Sequence, residues 1–370
     1  MAANEERTRL REAVRRVARW RMPLSYLPEQ RRDAMAPTWR AARPARIANA
    51  LDRALARPGG GWYVVGASRE LRAGHSLARV VAGHEVALWR DAAGRPHAGP
   101  GACPHLGALL DRCAVTEDRL VCPWHGLALG EDTGSWWPTM AAYDDGHLLW
   151  VRRTDAGEEA TDRPMLPSRP NGTTIGAVVA VRGRCEPRDI LANRLDPWHG
   201  AWFHPYAFSH LRVDEAASDD DVLVLEVAYR VAGPLAVPVR AQFRCPDRRT
   251  IVMTILEGEG TGSVVETHAT PLTKPGARAP VTVMTELTLA GSPRIGFRAA
   301  ARVAPLTTFI RAAMRASAGR LWVDDIAYAQ RRFETRAGMD FDPGGHGADI
   351  GVQDRETQRA AGRSAATDRG

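Results

Sequence analysis

Apolar residues first recur at helical spacing. Leu10, Val14 and Val17 stand among arginines, with Trp20 beside them and Pro23 as a stop, which predicts a helix over 4–22. A second helix is predicted over 40–57. Arg57-Pro58-Gly59-Gly60-Gly61 then reads as a linker, after which a β-rich region begins. Trp62-Tyr63-Val64-Val65 opens a β-rich stretch, and further strands are predicted at 77–81, 85–90, 119–122 and 147–152, divided by Gly and Asp turns. A Pro-rich connector runs from Pro164 to Pro170 and into Asn171-Gly172. Residues 186–204 read as helical. Alternation returns at 222–231, 238–244, 249–256, 262–269 and 281–289, which predicts one antiparallel sheet, and a final helix is predicted over about 297–335.

The pattern divides the chain into a helical leader (1–57), a small all-β domain (62–155), a larger mixed domain (171–335) and a tail (338–370). The tail is rich in Gly, Asp and Arg and is expected to be unstructured. No internal repeat is present. The fold class expected from this order is α+β.

Composition changes the picture in two places. The chain has 370 residues, 44% hydrophobic and 25% charged, enough for two cores. Its net charge of +7 is uneven: residues 1–57 hold 14 Arg against 6 acids, which leaves 36 basic and 37 acidic groups elsewhere. The basic character is a property of the leader. A nucleic-acid role would want a basic stripe with interleaved aromatics on the folded domains, and none is seen. The leader either lies on an anionic membrane surface as a peripheral contact or packs against the body, the second being the plainer reading. No run of eighteen apolar residues and no apolar leader core occurs, and Cys113, Cys185 and Cys245 are scattered, so a cytoplasmic, reduced protein is expected.

Candidate chemistry lies in two stretches. Cys103-Pro104-His105-Leu106-Gly107 and Cys122-Pro123-Trp124-His125-Gly126 each carry one thiolate and one imidazole, with sixteen residues between His105 and Cys122. Two Cys and two His suit a tetrahedral zinc or a [2Fe–2S] cluster with two Cys on one iron and two His on the other. Structural zinc sites mostly pair Cys with Cys and His with His, so C-x-H with C-x2-H favours the cluster. The two loops resemble the Rieske family. The positions of the extra disulfide cysteines of respiratory Rieske proteins are Ala108 and Trp124 here, and the C-P-W-H-G form is similar to ring-hydroxylating and related non-haem iron oxygenases. Trp136-Trp137-Pro138 is expected to pack beneath the loops as core.

Asn193-Arg194-Leu195-Asp196-Pro197-Trp198-His199-Gly200-Ala201-Trp202-Phe203-His204-Pro205 contains D-x2-H-x4-H. Two imidazoles five residues apart sit about 140° apart on an ideal helix, so the helix must end or distort there, and Gly200 and Pro205 allow it. The spacing alone is weak evidence for a metal.

The resemblance gives it meaning. It implies that His199 and His204 ligate a mononuclear Fe(II), with a carboxylate from the last helix as third ligand. Asp325, preceded by Asp324 and followed by Gln330, fits the family pattern better than Asp324. It also implies that Asp196 bridges an iron-bound histidine and a cluster histidine of a neighbouring subunit in a homotrimer; an N-cap is the plain alternative, and both can hold. The implied fold is a Rieske domain followed by a helix-grip (START-like) catalytic domain. The resemblance spans about 62–335.

No G-x-G-x-x-G follows a strand and no plant-type Cys run appears, so a ferredoxin or NAD(P)H-dependent reductase must supply electrons. The expected activity is O₂-dependent hydroxylation or other oxidation of an apolar small molecule. A more specific resemblance, to actinobacterial Rieske proteins of carotenoid biosynthesis, points to a carotenoid or other isoprenoid, with an aromatic as the broader family's substrate. The alternative is a Rieske electron-transfer protein whose second domain binds a lipid without oxidising it.

Overall fold

The computed structural model describes residues 24–28, 30–154, 157–292 and 295–338. The helix expected over 4–22 lies outside the described residues, as does the tail apart from Gly338. The second predicted helix is present as α1, Pro44–Leu55, starting later than residue 40 because Pro44 supplies a ready first turn without an N–H to satisfy. Ile47, Leu51 and Ala54 fall on its buried face. Burying Ile47 and Leu51 is worth about 1.5–3 kcal/mol each. Its arginines meet acids of the body: Arg46 forks onto Glu215 at 2.9 and 2.7 Å and covers the Trp198 ring, Arg57 reaches Asp221 at 2.7 Å, and Arg53 bonds the Asp220 carbonyl. Part of the leader's charge is thus matched within the chain.

Nine short strands build the first module: β2 (Trp62–Ala67), β3 (Leu77–Val81), β4 (His84–Arg90), β5 (Pro96–Pro100), β6 (Val115–Thr116), β7 (Arg119–Val121), β8 (Ala128–Leu129), β9 (Ala142–Asp144) and β10 (Leu148–Arg152), after a two-residue β1 at Ser25–Tyr26. They form three antiparallel three-stranded sheets, β2-β10-β9, β3-β4-β5 and β6-β7-β8.

The second module is one antiparallel sheet, β11-β17-β16-β15-β14-β13-β12, with β1 added to β14. Its strands are β11 (Thr174–Gly183), β12 (Phe208–Val213), β13 (Val222–Ala232), β14 (Leu235–Asp247), β15 (Thr250–Gly258), β16 (Val264–Pro271) and β17 (Thr282–Gly291). Two of these strands escape a reading of periodicity. In β11 the glycines and alanines dilute the alternation. In β12 the pairing with β13 shifts between Ser209 and Arg212, and His210 takes φ +53, so polar residues fall where apolar ones are expected.

Helices α2 (Pro187–Arg194), α3 (Gly200–Phe203), α4 (Ile295–Ala300) and α5 (Ala304–Arg336) complete the fold. The predicted 297–335 helix is interrupted before Ala304, where Pro305 opens a new helix.

The sheet is buried on both faces. Its inner residues, among them Val181, Met253, Ala269 and Met284, pack with Ile190, Leu191, Trp322 and Ile326 of the helices. Its outer residues Val252, Val264, Leu287 and Leu289 pack on Trp62, Val64, Leu148 and Trp150 of the first module. That joint also holds a buried ionic group: Arg169 forks onto Glu266 at 2.6 and 2.8 Å and reaches Asp145 at 3.0 Å. Arg249 makes a second link, to Glu158. Among the described residues no helix is long and apolar enough to cross a membrane.

Candidate metal centres

The two Cys-His loops are copies of one turn. Cys103 N–H donates to the Ala108 carbonyl and Gly107 N–H to that of Cys103; Cys122 N–H donates to Leu127 and Gly126 N–H to Cys122, all at 2.8–2.9 Å. Gly107 and Gly126 close the turns at φ +76 and +74. A Cβ at either would meet nothing within 4 Å, so glycine is required by the backbone, not by space. The turns bury both sulfurs (Cys103 3%, Cys122 2% exposed) and leave His105 and His125 at the surface, ring centroids 4.8 Å apart. Burial pushes the Cys103 thiol up, with Cys122 beside it adding to the effect. Two adjacent thiols and two adjacent imidazoles on twin loops fit a [2Fe–2S] cluster, whose irons would hold both sulfurs as thiolates. Trp137 packs below against Trp89, where a Cβ at Gly99 would meet its ring at 2.5 Å. Trp136 and Pro138 are exposed instead.

In the second module Pro197–His199 forms a single 3₁₀ turn and α3 ends after Phe203, His204 leaving helical geometry at φ −117, ψ 56 ahead of Pro205. The distortion returns His204 to His199, ring centroids 5.3 Å apart. Asp325 of α5 completes the group: its Oδ1 lies 2.9 Å from His204 Nε2 and 3.3 Å from His199 Nε2, and one donor atom from each residue falls within 4.8 Å of the others. Asp324 faces elsewhere, 3.5 Å from His204 Nδ1 and accepting from Tyr206 Oη–H at 2.7 Å. His199 Nδ1–H donates to the Asp196 carbonyl. Both rings are therefore held at Nδ1 with Nε2 turned toward Asp325, the arrangement that orients imidazoles for a metal. Two imidazoles and a carboxylate on one side fit a mononuclear iron with open positions.

Electrostatics support the cluster of charges. Burial opposes ionisation of Asp325, yet hydrogen bonds from His199 and His204 hold its carboxyl well below the usual carboxylate range. Burial likewise disfavours the His199 cation, and the Asp325 hydrogen bond and charge outweigh it, raising its pKa. Asp196 is pushed up by burial despite His199 nearby. It makes no side-chain cap to the 3₁₀ turn. Its Oδ2 accepts from Tyr328 Oη–H at 3.1 Å, and its buried Oδ1 has no partner among the described residues.

Four residues around this site carry no signal in the D-x2-H-x4-H spacing. Asn193 Nδ2–H donates to Asp325 Oδ1 at 2.9 Å. Tyr206 and Asp324 back His204. Tyr328, three residues after Asp325, stacks on His199 with centroids 5.2 Å apart. Only its helical offset from Asp325 could have drawn attention to it.

Residues 61–143 match the model of the Rieske [2Fe-2S] domain, and residues 155–340 match that of a domain of unknown function, DUF5914. The oxygenase component of chloroacetanilide N-alkylformylase from Rhizorhabdus wittichii is 30% identical over 165 residues, covering 40% of this chain and 47% of that protein. The chain thus spans about half the length of this curated relative. Dicamba monooxygenase bound to dicamba superposes with a TM-score of 0.56 at 17% identity, over 83% of this chain and 98% of that one. The terminal oxygenase of carbazole 1,9a-dioxygenase from Novosphingobium sp. KA1 does so at 0.52 and 13%, over 80% and 90%. The chain belongs to the DUF5914 family, with a Rieske [2Fe-2S] domain preceding the family's own domain on the fold of the Rieske terminal oxygenases.

Proposed function

We propose that the chain is the oxygenase component of a Rieske system, with Cys103, His105, Cys122 and His125 holding the cluster and His199, His204 and Asp325 holding a mononuclear iron. The observation that carries this is Asp325 Oδ1 facing two imidazole Nε2 atoms whose Nδ1 atoms are held at the Asp196 carbonyl and beside Asp324. When bound, the two groups would supply one-electron transfer and O₂ activation. Asn193 fixes the Asp325 carboxylate, which is almost wholly buried.

Asp196 is the candidate bridge between centres. Tyr328 holds Oδ2, and the chain's own His105 and His125 do not reach Oδ1. We assign that buried, unpaired oxygen, closed to solvent in the single chain, to an imidazole N–H of a second copy in a head-to-tail ring such as the homotrimer. Exposed Leu106 and Trp124 beside the cluster histidines give that contact an apolar rim. Electrons come from a ferredoxin or reductase. The relatives' names speak of chloroacetanilide, dicamba and carbazole; for this chain the substrate class is an apolar molecule, with a carotenoid or other isoprenoid as the finer reading. A non-catalytic lipid-binding domain would have no use for the buried triad.

The test is iron content together with O₂ uptake, using a surrogate reductase and ferredoxin and mass analysis of products from isoprenoid and aromatic panels. The oxygenase should hold about three irons per chain and an electron carrier about two. Two irons, or O₂ uptake without an oxygenated product from any member, would overturn the reading.

A further inference from the structure

The first half of α5 stands clear of the body. Trp322 donates its Nε1–H to Glu286 of β17, and Ile326 closes on Gly183 at the end of β11. The helix before Trp322 therefore runs toward the other end of the sheet, where β11 begins and β17 finishes at Gly291. Ala304 lies about 27 Å back along the helix from Trp322, whereas β17 ends about 17 Å beyond Glu286. The helix outruns the sheet, and Thr307 is its only buried residue before Trp322. Val303, Leu306 and Phe309 are exposed on this overhang, Phe309 at 71%. A second apolar tip leaves the same end of the sheet. Register places the β13–β14 hairpin tip, the β15–β16 turn and Gly291 at that one end. Val231 and Leu235 of the hairpin are exposed there, and Tyr26 of β1, paired with Leu235, is 72% exposed.

The overhang is also basic, and its charge is unmatched. From Ile295 to Val323 the chain holds five arginines and no acid. Arg320 covers the Tyr206 ring at 3.9 Å. The other four, Arg298, Arg302, Arg311 and Arg315, are exposed, and none forms a salt bridge among the described residues. Arg69 of the first module joins them: partial burial, then the charges of Arg315 and Arg311, push its guanidinium down. Acids near this end are already engaged. Glu70 accepts from Arg79 at 2.5 Å, Glu257 from Arg240 at 3.1 Å and Glu259 from Ser292 at 2.8 Å. Residues 1–23, with seven arginines against three acids, join the described chain just before β1, beside the hairpin tip.

We propose that this end of the second module, the α5 overhang together with the β13–β14 tip, docks on an anionic lipid membrane. Interfacial binding combines apolar side chains in the headgroup layer with arginines that meet lipid phosphates, and this end offers both. A second copy of the chain is a poorer match. Outside residues 1–57 the chain carries 36 basic and 37 acidic groups, and the acids Glu215 and Asp221 are already held by Arg46 and Arg57. The apolar residues also sit on convex tips, which enter a soft interface but bury little area against a folded surface. Lipid binding here does not depend on the oxygenase reading. Its use rests on that reading, since a bilayer concentrates apolar substrate beside the enzyme.

The experiment is co-sedimentation of the full-length holoprotein with vesicles. One set is phosphatidylcholine alone, and the other is phosphatidylcholine and phosphatidylglycerol in equal parts. The wild type should partition onto the mixed vesicles, more weakly onto phosphatidylcholine, and should be released by high salt. Replacing both Arg311→Gln and Arg315→Gln should weaken partition onto the mixed vesicles by about ten- to thirtyfold. Phe309→Ser should weaken it by about five- to tenfold and Val231→Ser by less, because each removes apolar area from the interface. All four residues are exposed, so the cluster spectrum and melting temperature should be unchanged. Every variant keeps residues 1–23, so wild-type partition in the variants would assign any lipid binding to that leader and overturn the face. Failure of the wild type to bind mixed vesicles would overturn it as well. So would a change in oligomeric mass with Phe309→Ser that leaves vesicle partition untouched, which would mark the overhang as a contact between copies. No turnover is measured, so these results stand apart from the iron and product assays that decide the oxygenase reading.

Discussion

The two candidate metal centres use the same imidazole ligand by opposite means. At the Cys-His loops, each ligand pair comes from one five-residue turn, its histidine exposed and its position set by bonds within that turn. At the second centre, His199 and Asp325 are 126 residues apart and the group is assembled from a broken helix and a long one. Asp325 and His204 are 1% exposed. A local, exposed site can be reached by an electron donor and tolerates little backbone change. A buried, assembled site depends on packing and on side-chain hydrogen bonds.

The largest break in this comparison should come from Asp325→Ala. It removes the carboxylate that faces both imidazoles, so bound mononuclear iron should fall to near zero and product formation by more than about a hundredfold. The cluster spectrum should be unchanged, since its loops share no residue with α5. Iron analysis beside the visible spectrum checks both halves, and loss of the cluster as well would show the centres are not independent.

Asp196→Asn separates the centres without emptying either. Both His199 and His204 keep their donors, so iron and cluster content should stay near wild type. Reoxidation of the pre-reduced cluster by O₂ with substrate should slow by at least about tenfold, as expected for loss of a charge between imidazoles. Wild-type single-turnover rates in the Asn variant would remove the bridge role.

The joint between the modules offers a stability test that touches neither centre. Burial raises the Asp145 and Glu266 carboxyls, but Arg169 overrides it and holds both below the ordinary carboxylate range. Their contribution is therefore fully present above about pH 4.5 and lost as pH falls through the depressed folded values. Arg169→Met removes the arginine shared by two buried carboxylates, leaving Glu266 with His268 and Asp145 with Trp150 and two backbone N–H groups, and should cost about 3–5 kcal/mol in urea unfolding at neutral pH. The variant should also lose stability as pH rises above the ordinary carboxylate range, because burial then opposes ionisation without the arginine to offset it. A flat pH profile would mean the pair is solvated.

Gly107→Ala should have the smallest effect. No atom obstructs the new methyl, so only the left-handed backbone is strained, at about 1–2 kcal/mol. Cluster loss in chelator should speed up by a modest factor, with mononuclear iron retained.

Local order decided what could be read from the chain. The Cys-His loops were legible because every interaction shaping them lies within a few residues, and Gly107 and Gly126 mark their left-handed turns. Strands β13 to β17 were legible because one side of each alternates cleanly. Strands β11 and β12 were not, being weakened by Gly and Ala in one case and by an irregular pairing at His210 in the other. The final helix reads as continuous because its apolar positions run on past the break before Ala304.

By itself, the sequence determined the two segments of candidate ligands, the sheet's central strands and the order of the modules, since spacing and period are properties of neighbours along the chain. Only the tertiary structure decided that Asp325 meets the Nε2 atoms of both imidazoles while Asp324 lies behind His204 at its Nδ1, for adjacent helical residues point about 100° apart and α5 must be docked before either direction means anything. It alone brought Asn193 to Asp325, Tyr328 to Asp196, and Arg194 and Trp322 to Glu286. Those meetings depend on sheet register and helix packing across tens of residues, which no local pattern encodes.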